Sequence, residues 1–318
     1  MGKPRVSSLG VLFFLCGAVL AQTTVPREKI PANLPADLTS QIKALYSQDS
    51  NEVVAAAQKL GEMGPRALPA IPLLIGLLRY HGLETLKVGD SRFMVFDASA
   101  QTASTALAKI GSPAIEPLRA ALRSENEDVR RWVCIALGRM KSPVATGILV
   151  STVQNPASPG RYEAARGLGY SSLPRAVEVL SASLKDKDPK LRDAAATGLA
   201  ESSDPRAVDP LLLALKDQDA EVRSSAAGAM ANKKDTRVVP ALIAALLDTD
   251  WRVRQSAALT LGQIKDPAAI GPVIELLAVD SDKDVRFRAW YSLKEITGEK
   301  LGEDAAKWRE SWAKKKAT

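Results

Sequence analysis

Asp250-Trp251-Arg252-Val253-Arg254-Gln255-Ser256-Ala257-Ala258-Leu259-Thr260-Leu261-Gly262-Gln263-Ile264-Lys265-Asp266-Pro267 is the stretch that decides how this chain folds. Asp250 stands three residues before Val253, where its carboxylate can cap a helix, and Asp266-Pro267 reads as the N-cap and first-turn proline of the next one. The stretch is not unique. Its apolar-Arg pair recurs as Val129-Arg130, Leu191-Arg192, Val222-Arg223 and Val285-Arg286, with Gly160-Arg161 filling the remaining place, so that successive arginines are 31, 31, 31, 31 and 32 residues apart. Nine residues after the first member comes a small residue, Gly138, Gly169, Ala200, Ala231 or Gly262. A fixed period of this length is the signature of a helical repeat array.

Each unit divides into two amphipathic halves. Leu191, Ala194, Ala195 and Leu199 follow an i, i+3, i+4, i+8 pattern, and Val208, Leu211, Leu212 and Leu215 follow i, i+3, i+4, i+7. Helices of about eleven residues, roughly 16 Å long, do not hold alone and must stack on neighbours. Asp188, Asp219, Asp250 and Asp282 are placed to cap the first helix, A, and Ser142, Asp204 and Asp266, each followed by Pro, the second, B. Upstream, Leu60-Gly61 and Leu107-Ala108 are earlier copies 47 residues apart, and the excess falls in an insertion near 80–97. About eight units are expected, in an all-helical solenoid over 37–296.

Composition agrees. The 318 residues are 46% hydrophobic but only 5% aromatic, which suits closely packed helices with Ala and Leu cores. One His and two Cys leave no material for a His/Cys zinc centre or a c-type haem attachment. The formal charge of +7 is modest and both signs are interleaved, so no nucleic-acid stripe is expected. Lys314-Lys315-Lys316 reads as a solvated tail.

Residues 1–21 read as a signal peptide. Lys3 and Arg5 precede the apolar run from Leu9 to Ala21, too short to span a bilayer, and cleavage after Ala21 is expected. That would remove Cys16, leave Cys134 as the sole thiol, and place the chain in an extracytoplasmic compartment, periplasmic or secreted, without stable membrane insertion. Residues 22–36, with Pro26, Pro31 and Pro35, have the composition of a linker. Residues 297–318 leave the repeat and read as a capping helix and basic tail, with Trp308 and Trp312 one helical turn apart and able to cover the last unit.

The pattern Asp-x-x-Val-Arg-x-x-Ala-Ala-x-x-Leu-Gly-x-Ile-x-Asp-Pro resembles HEAT repeats of the short class, found in bacterial HEAT-like proteins and in phycobilin lyases. The resemblance implies a right-handed α-solenoid with B helices along a concave face. Deoxyhypusine hydroxylases of this class hold iron through several His-Glu pairs, whereas here the one His, His81, is followed by Gly82.

Arg130, Arg161, Arg192, Arg223, Arg254 and Arg286 are expected to form a structural ladder with the acids of the inter-unit turns. Cys134 shares its column with Ala165, Ala196, Ala227, Ala258 and Trp290 and reads as a small buried contact. On the B helices the outward positions vary between units, and Glu116, Arg123, Lys185, Asp209, Leu213, Lys216 and Leu247 are the candidates for partner contact, together with His81 and Arg92 of the insertion. The leading expectation is an exported, non-enzymatic scaffold that binds a protein or peptide and needs no cofactor or metal. The alternative is a lyase-like or cofactor-handling enzyme using His81 with Glu84, Asp90 and Arg92. No phosphate loop, nucleophile elbow or paired-carboxylate motif supports catalysis.

Overall fold

A computed structural model of the chain describes residues 33–316 apart from 48, 80–83, 89–90, 96–97, 172 and 234. Among the described residues the helices are α1 (Ala36–Ala44), α2 (Ser50–Glu62), α3 (Ile71–Gly76), α4 (Ser99–Ile110), α5 (Ile115–Ala121), α6 (Glu127–Arg139), α7 (Pro143–Gln154), α8 (Arg161–Leu168) and α9 (Pro174–Ser183). They continue as α10 (Pro189–Glu201), α11 (Val208–Ala214), α12 (Ala220–Ala229), α13 (Val238–Ala245), α14 (Trp251–Ile264), α15 (Ile270–Val279), α16 (Lys283–Thr297) and α17 (Ala305–Lys316). Between α3 and α4, β1 (Glu84–Val88) and β2 (Ser91–Val95) pair antiparallel, with Glu84 opposite Val95 and Val88 opposite Ser91. The insertion is therefore a β-hairpin, a local departure from an otherwise helical chain. The proposed leader, 1–21, and most of the linker lie outside the described residues.

The chain packs as two compact units, residues 1–167 and 168–318. In the first, α2, α4 and α6 are A helices and α3, α5 and α7 B helices. In the second, α10, α12, α14 and α16 are A helices and α9, α11, α13 and α15 B helices. Helix starts are set by short polar side chains: the Asp188, Asp219, Asp250 and Asp282 carboxylates accept backbone N–H bonds from the first turns of α10, α12, α14 and α16. Each such cap contributes about 1 kcal/mol. The stripe Leu191, Ala194, Ala195 and Leu199 is fully buried on α10.

B halves differ from expectation in detail. Several open with a 3-10 turn, as in Pro205–Ala207 before α11 and Pro267–Ala269 before α15, because proline directly after the capping Asp tightens the first turn. The α-helical part of α11 is then only seven residues. Neighbouring A helices meet closely: a Cβ added at Gly61 would stand 2.8 Å from the Cα of Ala106, and one at Gly262 2.9 Å from the Cα of Ser292.

The chain leaves the repeat at Gly298, whose left-handed φ of 75° ends α16. Helix α17 then turns back onto α15. Trp308 is buried and its indole N–H donates to the Gly302 carbonyl at 2.7 Å, while Trp312 lies half-buried beside it. Arg309 pairs with Glu275 of α15 at 2.8 Å. No helix among the described residues is long and apolar enough to cross a membrane.

Candidate functional site

The arginine column meets the turns between repeats. Arg192 donates through Nε and Nη2 to the two carboxylate oxygens of Asp217, both at 2.8 Å, and through Nη1 to the carbonyls of Asp186 and Lys187. Arg223 repeats this on Asp248 at 2.8 Å, and Arg254 on Asp280 at 2.6 and 3.0 Å. Arg286 holds the carbonyls of Asp280 and Ser281, and Arg161 that of Val153. The receiving acids are the first members of Asp-x-Asp turns, Asp217, Asp248 and Asp280, which also accept the N–H two residues on. The second member caps the next A helix. One three-residue turn thus links the previous repeat and starts the following one.

Electrostatics follow from that geometry. At Asp217 burial opposes ionisation, but the bond from Arg192, the Asp219 N–H and the nearby guanidiniums outweigh it and hold the carboxyl below its ordinary value. The bond from Arg223 does the same for Asp248 against burial. Arg192 and Arg223 are correspondingly raised by their carboxylate bonds.

Arg130 departs from the column. The residue 25 positions after Arg192 is Asp217, but 25 after Arg130 stands Asn155, whose side chain makes the same turn bond, to the Ala157 N–H at 3.1 Å, without a charge. Arg130 pairs instead with Glu163 of α8, at 2.8 Å, and keeps its bonds to the Ser124 and Glu125 carbonyls. Glu163 is 3% exposed and its Oε2 has no hydrogen-bond partner among the described residues. Glu163→Ala is therefore expected to cost about 3–5 kcal/mol, and adding Asn155→Asp to recover roughly half of that loss by supplying the acid found at Asp217, Asp248 and Asp280. Urea denaturation of both variants checks this; a double variant no more stable than the single one would contradict the alignment.

Cys134 is fully buried, with its thiol pushed well above its ordinary value by burial and by the Glu163 carboxylate, against Arg130. A protonated thiol without solvent access is a packing element. His81 and Asp90 lie outside the described residues, and Glu84 and Arg92 fall on the paired strands β1 and β2. Among the described residues no group of three or more His, Cys, Asp or Glu side chains is placed to hold a metal ion.

The B-helix candidates fall in both units. In 168–318, Lys185, Asp209, Leu213, Lys216 and Leu247 are all exposed, Leu213 by 66% and Leu247 by 87%. Asp209 is already engaged by Arg237 of the next unit at 2.6 Å. In 1–167, Glu116 pairs weakly with Arg119 at 3.4 Å, and the exposed Arg123 borders a groove of about 410 Å3 between α5 and α7. The repeat pattern did not point to this groove. Its signal was Asn155-Pro156-Ala157-Ser158-Pro159-Gly160, which stands where the later repeats carry Asp-x-Asp, and which supplies one rim of the groove.

Stacked helix pairs, interlocked by a periodic arginine–aspartate ladder and closed by a terminal helix, define an α-solenoid repeat protein. The chain belongs to the HEAT repeats, which match it over residues 96–160, 149–215 and 208–294. No curated protein matches it. Among solved structures it is similar to an engineered protein at 23% identity and TM-score 0.39, over 88% of this chain and 82% of that one. It is also similar to the Escherichia coli protein YibA at 17% identity and TM-score 0.38, over 92% and 99% of the two chains. Human deoxyhypusine hydroxylase in complex with glycerol is a further one, at 18% and 0.32 over 76% and 100%. Likeness at this level carries no argument about function.

Proposed function

We propose that this HEAT-repeat chain is an exported, non-enzymatic scaffold that binds a protein partner through the outward face of its B helices. The observation that carries the reading is where apolar surface is left in water. Of the seven large apolar side chains that stand exposed among the described residues, five belong to B halves: Leu68, Val144, Leu213, Leu247 and Val279. Single exposed apolar residues are ordinary, but their concentration in the B halves of a repeat array suits a contact face. The ladder side of the repeat is spent on internal bonds. Export rests on the charged start, apolar run and small residue of 1–21.

The test uses the full chain in the producing cell. Photo-crosslinking from positions 213 and 247 is expected to trap a partner that mass spectrometry identifies, and Leu213→Glu with Leu247→Glu to reduce its recovery at least tenfold. Both sites are exposed, so melting should stay within about 2 °C of the parent. Recovery unchanged by the double variant would sink the contact face. The mature chain from the extracytoplasmic fraction should begin at Gln22, and an intact Met1 chain confined to the cytoplasm would sink export.

A further inference from the structure

In the 1–167 unit a groove lies between α5 and α7. Its volume, about 410 Å3, is in the range of binding clefts. Leu122, Val144 and Ile148 give it an apolar floor, Asn155 a neutral polar rim, and Arg119 and Arg123 a positive wall; no acidic residue lines it. In the 168–318 unit, by contrast, the B-half arginines Arg206 and Arg237 are tied to Asp204 and Asp209. The Arg123 guanidinium has no hydrogen bond or ion pair among the described residues, and Arg119 has only its 3.4 Å contact to exposed Glu116. The turn that borders the groove adds no negative charge either: it carries Asn155 and Ala157, where the turns beginning at Asp186, Asp217, Asp248 and Asp280 carry two acids.

Gly147 adds an independent observation. It lies within α7 and lines the groove, yet a Cβ there would meet nothing within 4 Å. Glycine inside a helix costs about 0.5–1 kcal/mol relative to alanine, and no internal contact demands it here. Gly228 is equally unencumbered but is not among the residues that line this groove. A missing side chain on a groove floor leaves room for a second backbone to approach.

We infer that this groove takes an extended peptide segment of a protein partner in which an acidic residue stands beside an apolar one. The carboxylate meets Arg123 and Arg119, the apolar side chain rests on Val144 and Ile148, and the peptide backbone passes over Gly147. Charge complementarity fixes the sign of the partner and the bare helix surface its extended form. This inference rests on the scaffold reading and sharpens it.

The experiment selects displayed random peptides on the purified mature chain. A selected sequence, resynthesised with a fluorescent label, is then measured against variants by anisotropy. Enrichment of Asp or Glu next to an apolar residue is expected, with affinity lowered at least tenfold by Arg123→Glu and, separately, by Gly147→Trp, which fills the groove. Circular dichroism melts of both variants should match the parent, since neither position packs internally. Replacing the peptide's apolar residue by Ser should also weaken binding about tenfold; binding that survives this change identifies a simple anion site and overturns the inference. Selection without acidic enrichment, or peptides that hold equally to Gly147→Trp, overturns it too. If such peptides are instead lost with Leu213→Glu and Leu247→Glu, the groove is refuted and the scaffold stands; if no variant of either face affects them, both readings fall.

Discussion

Gly169→Ala will destabilise the 168–318 unit by about 3 kcal/mol or more, although it adds one methyl group to a turn. A Cβ at position 169 would lie 2.0 Å from the carbonyl oxygen of Gly198, 2.7 Å from its carbonyl carbon and 2.9 Å from its Cα. All three atoms are backbone of α10, so no rotamer change relieves the overlap and the helix itself must move. That movement spreads, because α10 buries Leu191, Ala194, Ala195 and Leu199 and carries Arg192. A loss of this size corresponds to a melting point lower by roughly 6–12 °C for a unit of this length. Gly228→Ala is the matched control. Its Cβ meets nothing within 4 Å, so better helix propensity and a less flexible unfolded chain should leave it neutral or stabilise it by up to about 1 kcal/mol. Thermal melts of the two variants should therefore move in opposite directions or differ by several degrees. A Gly169→Ala chain that melts with the parent would mean that the A helices are not in backbone contact at this point.

What could be read from the sequence was whatever the repeat states several times. The period, the A-helix stripe, the caps at Asp188, Asp219, Asp250 and Asp282, and the arginine column each recur, and recurrence averages out the ambiguity of any one helix. The small-residue column announced close packing, but not why position 169 is Gly while 200 and 231 are Ala; that depends on how near the next helix comes, which no single sequence position encodes. Features that occur once were harder. The hairpin of 84–95 has alternating residues around Gly89-Asp90, a usable strand signal, yet a helical array gives no reason to look for strands. Glu163 as the partner of Arg130 was hidden because the pair is 33 residues apart instead of 25. The α5–α7 groove likewise borders one turn that departs from Asp-x-Asp, and its arginines, Arg119 and Arg123, stand at positions the repeat does not mark.

Arg192→Ala should cost about 3–5 kcal/mol at neutral pH, because it removes one partner of a buried pair and leaves the other in place. Arg192 is 5% exposed, and its fork serves both Asp217 oxygens and the carbonyls of Asp186 and Lys187 at once. Lysine cannot reproduce that planar arrangement, so Arg192→Lys should recover only a minor part. The exposed pair Arg309–Glu275 has similar distances but both side chains about half in water, and Arg309→Ala should cost under about 1 kcal/mol. Acid separates an ionic cause from a packing one. Asp217 is held below its ordinary value in the folded chain, so its contribution is complete above the unfolded pKa of about 4 and is lost as pH falls through the lower folded value. Without Arg192, burial of Asp217 is opposed only by the Asp219 N–H and the Arg223 charge, so the carboxyl takes up its proton at higher pH than in the parent and the variant has less to lose in acid. The gap between parent and Arg192→Ala, measured by urea denaturation, should therefore be widest from about pH 5 upward and narrow steadily below about pH 4. A gap of constant size down to pH 3 would show that Arg192 acts through its buried methylenes and carbonyl bonds, and that the aspartates of the ladder do not bind the repeats together.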